Sequence, residues 1–315
     1  MKAVRDDRSH PDSRLFDVKD PPPESPSAKN FHLLRHSDLY QRAERPLSSV
    51  PRAFLRWAGS KRSILSRIVE ILPPHFRTYR EPFLGSGSLF FLLQPTNAVL
   101  SDTCVELMAA LNAIRDNVSA VMRYLNGLDP RDKQRFDQIR SFRSSGRFRN
   151  AAEFIYLNRA CWNGLYRVNS GGIFNVPYGR PKSGVVVDFE NLKACSLSLS
   201  QPGVSLRTCD FEAALTDARD GDLVYLDPPY VTAHANNGFV EYNEVLFSWE
   251  DQVRLAEVAR TLMLKGAHVI VSSANHAEIF RLYPDFRLRI FERPSTLASD
   301  VARRRIVSEA LLTSI

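Results

Sequence analysis

From Phe54 onward the spacing of apolar residues switches between a helical and an extended period, and each switch marks a new element. In SKRSILSRIVEIL (60–72), Ile64, Leu65, Ile68, Val69 and Leu72 fall on one face of a helix. AVLSD (98–102) is a short apolar strand that ends on an acid. CVELMAALNAIRDNVSAVMRYL (104–125) returns to helical spacing through Leu107, Met108, Leu111, Ile114, Val118, Val121 and Leu125. DLVYLD (222–227) reads as a buried strand, WEDQVRLAEVARTLMLKG (249–266) as an amphipathic helix closed by Gly266, and AHVIVSS (267–273) as the next strand. RLRIFER (287–293) and RRIVSEALLTSI (304–315) close the chain as strands. Strands alternating with helices predict an α/β fold, with βαβ units around a mostly parallel sheet and helices on both faces. The alternation breaks over 111–205, which reads as an inserted helical lobe, leaving 51–110 and 206–315 as the main domain. Residues 1–50 hold six prolines, nine basic and eight acidic residues, and one short helix candidate, FHLLRHSDLY. They are expected to be a tail without a packed core.

Composition narrows the class only a little. A chain of 315 residues, 44% hydrophobic and 24% charged, is ordinary for a globular protein and can bury a sizeable core. It has no run of about 18 apolar residues, so no membrane span is expected. The N-terminus lacks the apolar stretch of a secretory signal. Cys104, Cys161, Cys195 and Cys209 stand far apart without a CxxC pair. They read as reduced thiols of a cytoplasmic protein, and no metal site is expected. Charge changes the picture more. Between Arg131 and Lys182 there are eleven Lys or Arg against three acids, a local +8 in a chain of net +7. A basic block of that kind suits a polyanion such as the phosphate backbone of nucleic acid.

Three motifs carry chemistry. YREPFLGSGSLFF (79–91) leads from a strand through Glu81 and Phe83 into the turn Gly85-Ser86-Gly87 and an apolar helix start. Glycines there let a ligand approach the backbone closely. Asp102, twenty-one residues after Glu81, ends the following strand, where an acid hydrogen-bonds the hydroxyls of a ribose in nucleotide-binding α/β folds. With an incomplete glycine set and no GxxxxGK[ST] sequence, S-adenosylmethionine fits better than NAD or ATP. CDFEAAL (209–215) pairs Asp210 with Phe211, which suits an adenine ring and equally suits a plain helix cap. In DLVYLDPPYV (222–231) a buried strand halts on Asp227, because Pro228 and Pro229 cannot extend a ladder. That places a carboxylate at the carboxyl edge of the sheet. An exocyclic amino group on an aromatic base is a poor nucleophile, since its lone pair is delocalised into the ring. Asp227 accepting one N–H and the Pro228 carbonyl the other would localise that pair, and Tyr230 would stack on an extruded base.

These residues together resemble the Dam-type (D12 class) DNA adenine-N6 methyltransferases. The resemblance covers roughly 53–315 and rests on FLRWAGSKRSIL, EPFLGSGSLFF, SDTCVELM, FIYLNRACWNGLYRVNSGGIFNVPYG, CDF, VYLDPPY and VIVSSANHAEI. It implies a Rossmann-like S-adenosylmethionine-dependent core with a helical target-recognition domain inserted before DPPY. It also implies double-stranded DNA as partner, with room for a cognate restriction endonuclease. Activity as a monomer in the cytoplasm, at the nucleoid, is expected. By position, Trp57, Lys61, Asp102 and Asp227 would contact the cofactor, Lys61 through the methionyl carboxylate. Arg140, Arg143, Arg147, Arg149 and Arg159 would grip phosphates, and Asn163, Tyr166, Arg167 and Asn169 would face DNA. Ser60, Ser86 and Cys104 depart from the family form, which often has Gly, Gly and Asn there. Methylation of RNA adenine or of cytosine N4, and an inactive DNA-binding relative, are the competing readings. An Asp227 carboxylate with both oxygens buried in a salt link, or the lack of a cavity beside the glycine turn, would count against all the catalytic ones.

Overall fold

The computed structural model describes residues 50–142, 144–230, 247–294 and 306–315. The expected tail up to residue 49, with its helix candidate, and Arg143 lie outside the described residues.

Strands that are apolar on both sides belong in the middle of a covered sheet, and the chain uses them so. A seven-stranded sheet is built from β1 (Tyr79–Glu81), β2 (Asn97–Asp102), β3 (Gly203–Thr208), β4 (Leu223–Leu226), β5 (His268–Ala274), β6 (Arg287–Pro294) and β7 (Ile306–Thr313), in the order β3-β2-β1-β4-β5-β7-β6. The first five strands are parallel, whereas β7 runs antiparallel to β5 and to β6. All four residues of β4 are buried. Leu223 and Tyr225 point into one hydrophobic layer, Val224 and Leu226 into the other, as the two-residue strand period requires. Order reverses at β1, which has β2 on one side and β4 on the other. The crevice beyond the carboxyl ends of β1 and β4 is therefore the switch point at which open α/β sheets bind ligands.

Helices cover both faces. On one side lie α1 (Leu65–Val69), α2 (Ser88–Leu93), α3 (Val105–Leu125), α4 (Lys133–Ser141), α5 (Arg147–Ala160) and α6 (Phe189–Leu199). On the other lie α7 (Phe211–Leu215), α8 (Trp249–Leu264) and α9 (Ala277–Leu282). Four helices, α3 to α6, thus separate β2 from β3, and α3 packs against both α5 and α6. The boundary expected at residue 111 falls inside α3, whose Leu107, Leu111 and Ile114 belong to the same buried layer as Tyr79 and Leu100 of the sheet. α8 has the capping box that its sequence allows, Ser248 with Asp251, and Gly266 follows it at φ +87. Two helices differ from their periodicity. α3 is broken at Asn117 (φ −159, ψ 80), whose side-chain oxygen accepts from the Ala120 N–H and so restarts the helix as an internal cap. The single helix expected over 60–72 is a 3-10 turn, Lys61–Ser63, followed by the short α1. Among the described residues no helix is long and apolar enough to cross a membrane.

At the amino ends of the central strands a buried ion pair, Arg80 with Asp222, is flanked by the more exposed Arg77 and Asp217. Asp222, with no exposed surface, accepts from Arg80 Nε at 2.6 Å, from Arg77 at 2.7 Å and from the Arg219 N–H at 3.2 Å. Arg80 also reaches Asp217 at 2.7 Å. This end locks β1 to β4, while the other end is left for chemistry. Replacing Asp222 by Ala leaves the buried Arg80 guanidinium with the half-exposed Asp217 as its remaining acidic partner and is expected to lower the unfolding free energy by about 2–3 kcal/mol in urea titrations, with cofactor affinity per folded molecule unchanged.

Candidate active site

Asp227 leaves β4 at the crevice, and its nearest ionic partner comes from the other side of the switch point. Lys61 Nζ lies 2.6 Å from Asp227 Oδ1 and donates to the Gly59 carbonyl at 2.8 Å. The ammonium also sits 4.6 Å from the centre of the Tyr230 ring. Tyr230 is tied in turn to β5, its hydroxyl 3.0 Å from Ser272 Oγ. Lys61 is 5% exposed and Asp227 17%. The broken helix explains the placement: Ile64 leaves the helical region (φ −123, ψ 9), so Lys61 starts a tight turn and aims inward, where a helix begun at Ser60 would carry it on round the surface. Burial acts against the Lys61 charge, but Asp227, Tyr230 and Glu309 outweigh it and hold its pKa above the ordinary lysine value. Asp227 is thus in a salt link, through Oδ1, at the edge of the crevice. Lys61, expected on the cofactor's carboxylate, lies here on the catalytic candidate.

The glycine turn forms the facing wall. Gly85 (φ +48) and Gly87 (φ +65) occupy left-handed conformations, and a Cβ on Gly85 would fall 2.8 Å from Trp57 Cδ1. Trp57 therefore lies directly on the turn, stacked at 5.9 Å on Tyr166. Ser60 and Ser86, the two departures from glycine, meet each other. Their hydroxyls are 3.3 Å apart, and Ser88 Oγ lies 3.1 Å from the first and 2.9 Å from the second. Asp102 accepts from the Gly85 and Cys104 N–H groups, each at 2.9 Å. Desolvation raises its pKa while those N–H groups lower it, and desolvation prevails. Glu81, 3% exposed, accepts from the Tyr79 hydroxyl at 2.8 Å. Burial pushes its pKa up to about 8, the Tyr79 bond opposing this and the Asp227 and Asp102 charges adding to it. These wall residues fit S-adenosylmethionine: a close-approach backbone turn, an indole lid, hydroxyl donors and an acid at the end of β2.

Asp210 and Phe211 have structural partners of their own. Asp210 caps α7 through the Glu212 N–H and forms a two-pronged pair with Arg254, both contacts at 3.1 Å. Phe211 is 2% exposed, with Phe83 stacked at 5.4 Å and the Arg254 guanidinium 4.4 Å from its ring centre. Its stacking surface is already covered, and the partly exposed ring of the group is Phe83.

In the basic block several arginines meet acids. Arg147 pairs with Asp116, Arg149 with Glu153 at 3.0 Å, and Arg140 with Asp137 at 3.2 Å. Their charge is neutralised locally, because acids lying outside the counted segment or one helical turn away face them. Asn169 folds its own loop, accepting from the Gly171 and Ile173 N–H groups, and Tyr166 belongs to the Trp57 aromatic group. Asn163 (φ 54) and Arg167 remain exposed, the latter donating to Asn175 at 2.7 Å. Arg159 meets two arginines absent from the sequence-based set. Its pKa is lowered by desolvation and by the nearby charges of Arg56 and Arg62. Arg56 is fixed beside it, its backbone N–H and carbonyl both bonded to the Asn158 side chain, at 2.9 and 2.7 Å. Among the described residues none of these three arginines has an acidic partner. Glu309, buried on β7, was also missed. Its one signal was an acid inside an otherwise apolar closing strand.

A Rossmann-like sheet of this order, with a glycine turn after β1 and DPPY after β4, defines a methyltransferase that takes its methyl group from S-adenosylmethionine. Comparison with known proteins narrows the class. The family model for the D12 class N6 adenine-specific DNA methyltransferases matches residues 57–295. A type II methyltransferase of Lactococcus lactis subsp. cremoris, M1.LlaDCHI, is 36% identical over 84% of this chain and 95% of its own. The type II methyltransferase M.MjaIII of Methanocaldococcus jannaschii is 34% identical over 75% of this chain and 89% of its own. The DNA adenine methylase of Escherichia coli K12 is 29% identical over 82% and 94%. The chain belongs to the D12 class of N6 adenine-specific DNA methyltransferases.

Glu81 gives this site a pH signature. Between the ordinary carboxylate value of 4.5 and about 8 the folded chain keeps a proton that the unfolded chain has lost. Stability therefore falls as pH rises through that window and levels off beyond it. Glu81→Gln, which mimics the protonated form, is expected to flatten the curve and to unfold later than the wild type at pH 8.5. A wild-type profile as flat as that of the variant contradicts the assignment.

Proposed function

We propose that this chain methylates N6 of an adenine rotated out of double-stranded DNA, with Asp227, Pro228, Pro229 and Tyr230 as the catalytic group. One observation carries the reading: Asp227 stands at the carboxyl end of β4 beside Lys61, facing the glycine turn after β1. Lys61 stays protonated at neutral pH and keeps the carboxylate beside it ionised. Asp227 then accepts one amino N–H and the Pro228 carbonyl the other, drawing the lone pair out of the purine ring. Both acceptors also stabilise the positive charge that grows on nitrogen during attack. Tyr230, braced by Ser272 and Lys61, presents its ring to the extruded base. When bound, S-adenosylmethionine supplies an electrophilic methyl group. Trp57, Gly85, Gly87, Asp102 and the three serine hydroxyls are the residues that would hold it.

The helical segment 111–205 serves in this reading as the target-recognition part. DNA phosphates meet Arg56, Arg62 and Arg159, since the paired arginines of α4 and α5 have little charge to offer. Arg56 and Arg62 flank Trp57 and Lys61 in sequence, which brings the phosphate contacts to the mouth of the site. The protein works as a monomer at the nucleoid, and a cognate restriction endonuclease is a partner this reading allows.

The test is transfer of label from tritiated S-adenosylmethionine to duplex DNA, with the product identified as N6-methyladenine. Absence of label on adenine, or label on cytosine or RNA alone, refutes the reading. Asp227→Ala is expected to lower turnover by about 10³-fold while DNA affinity changes little. For the arginine cluster, each single alanine substitution is expected to reduce the slope of log affinity against log salt by roughly 0.9. Arg149→Ala should leave it unchanged.

A further inference from the structure

Asp227 faces a conflict at the moment of reaction. Its carboxylate must turn lone pairs toward an adenine amino group, yet one oxygen is engaged by a buried ammonium at 2.6 Å. Were Asp227 the only anion near Lys61, that turn would leave an uncompensated cation in a poorly solvated place. Strand register supplies a second anion. Glu309 pairs across the ladder with Ala274 of β5 on one side and Phe291 of β6 on the other. Directly opposed residues project to the same face of a sheet, and so do residues two apart on one strand. Glu309 therefore emerges on the face from which Ser272, two residues before Ala274, holds the Tyr230 hydroxyl. On the next paired position of that face, Leu311 joins the hydrophobic layer that also contains Ile64, three residues after Lys61. Glu309 is 3% exposed, and its charge acts on both Lys61 and Tyr230. An ammonium has three donors, and Gly59 and Asp227 account for only two of the directions open to it.

We propose that Glu309 is a positioning residue for methyl transfer, holding Lys61 as its second counter-ion so that Asp227 can turn an oxygen to the substrate amine. The proposal rests on the reading of Asp227 given above. Lys61 thereby becomes a shared cation between two carboxylates, one facing the substrate and one fixed in the sheet. Glu309 touches neither substrate nor cofactor and acts through Lys61 alone.

Single-turnover transfer tests this, with full-length protein preloaded with tritiated S-adenosylmethionine and mixed with unmethylated duplex DNA. Glu309→Gln is expected to slow transfer by about ten-fold with the dissociation constants for cofactor and DNA unchanged. Glu309→Asp should recover most of that loss. In a Lys61→Met background the Glu309→Gln change should cost nothing further. A wild-type rate in Glu309→Gln overturns the proposal, as does an equal loss in the Lys61→Met background, which would mark a role independent of Lys61. If Glu309→Gln does not fold, Glu309→Asp decides alone, and full loss of transfer with intact binding and melting counts against a counter-ion role. Wild-type protein that labels no adenine refutes the reading of Asp227, whereas a labelling wild type with an equally fast Glu309→Gln refutes only the role of Glu309.

Discussion

The pairing of Lys61 with Asp227 joins the two halves of the crevice. One charge arrives on a tight turn before β1, the other at the end of β4, which follows β1 after six helices and two further strands. Taking both ions partly out of water costs several kcal/mol that their attraction only partly offsets. A fold seeking stability alone would favour an apolar pair here. In the role proposed for Asp227 the charge has a use: the chemistry calls for an anion in a poorly hydrated place, and a neighbouring cation favours that form. The rest follows from holding this pair. The 3-10 turn aims Lys61 inward, the two prolines stop β4 on Asp227, and Ser272 braces Tyr230 against the ammonium.

Much of this was legible in the sequence, for identifiable reasons. β2, β4, β5 and α8 were readable because their apolar periods are clean and their ends carry punctuation: an acid, two prolines, a glycine. The glycine turn and DPPY were readable because close backbone approach and an abrupt strand stop restrict residue types. The turn at Lys61 was not, since its apolar residues keep helical spacing while Ile64 leaves the helical region. The break at Asn117 was hidden for the opposite reason, as one asparagine mid-helix usually points to solvent. Asp210 was open from the start, and only the position of Arg254, far along the chain, decides that it caps and pairs.

Counting charge along the chain does not show which arginines keep their charge unpaired, for a physical reason. A segment's net charge takes no account of acids that folding brings to it from elsewhere. Asp116 on α3 neutralises Arg147 on α5 from outside the counted segment, and Glu153 and Asp137 act within a helical turn. What remains positive is decided by pairing. Arg56 and Arg62 act against the charge of Arg159, while the Asn158 side chain pins the Arg56 backbone beside α5 and Arg159 donates to the Val186 carbonyl. Like charges held together at some cost, with no acid beside them, are a better sign of a polyanion partner than a larger number of paired ones.

The three acids at the strand ends show how the crevice tunes its own field. Glu81, deepest, is kept largely protonated by burial and by the charges of Asp227 and Asp102. Asp102 is held by two backbone N–H groups, and Asp227 by a cation. Identical chemistry at three neighbouring positions thus meets three different environments: one neutral, one carried by backbone dipoles and one ion-paired. The arrangement leaves negative potential on the side of the glycine turn without placing three bare carboxylates together, which their mutual repulsion would forbid. A sulfonium-bearing cofactor carries a positive charge that it loses on transfer. With Asp227 in its proposed role, acids held apart in this way would favour that charge before reaction more than after it.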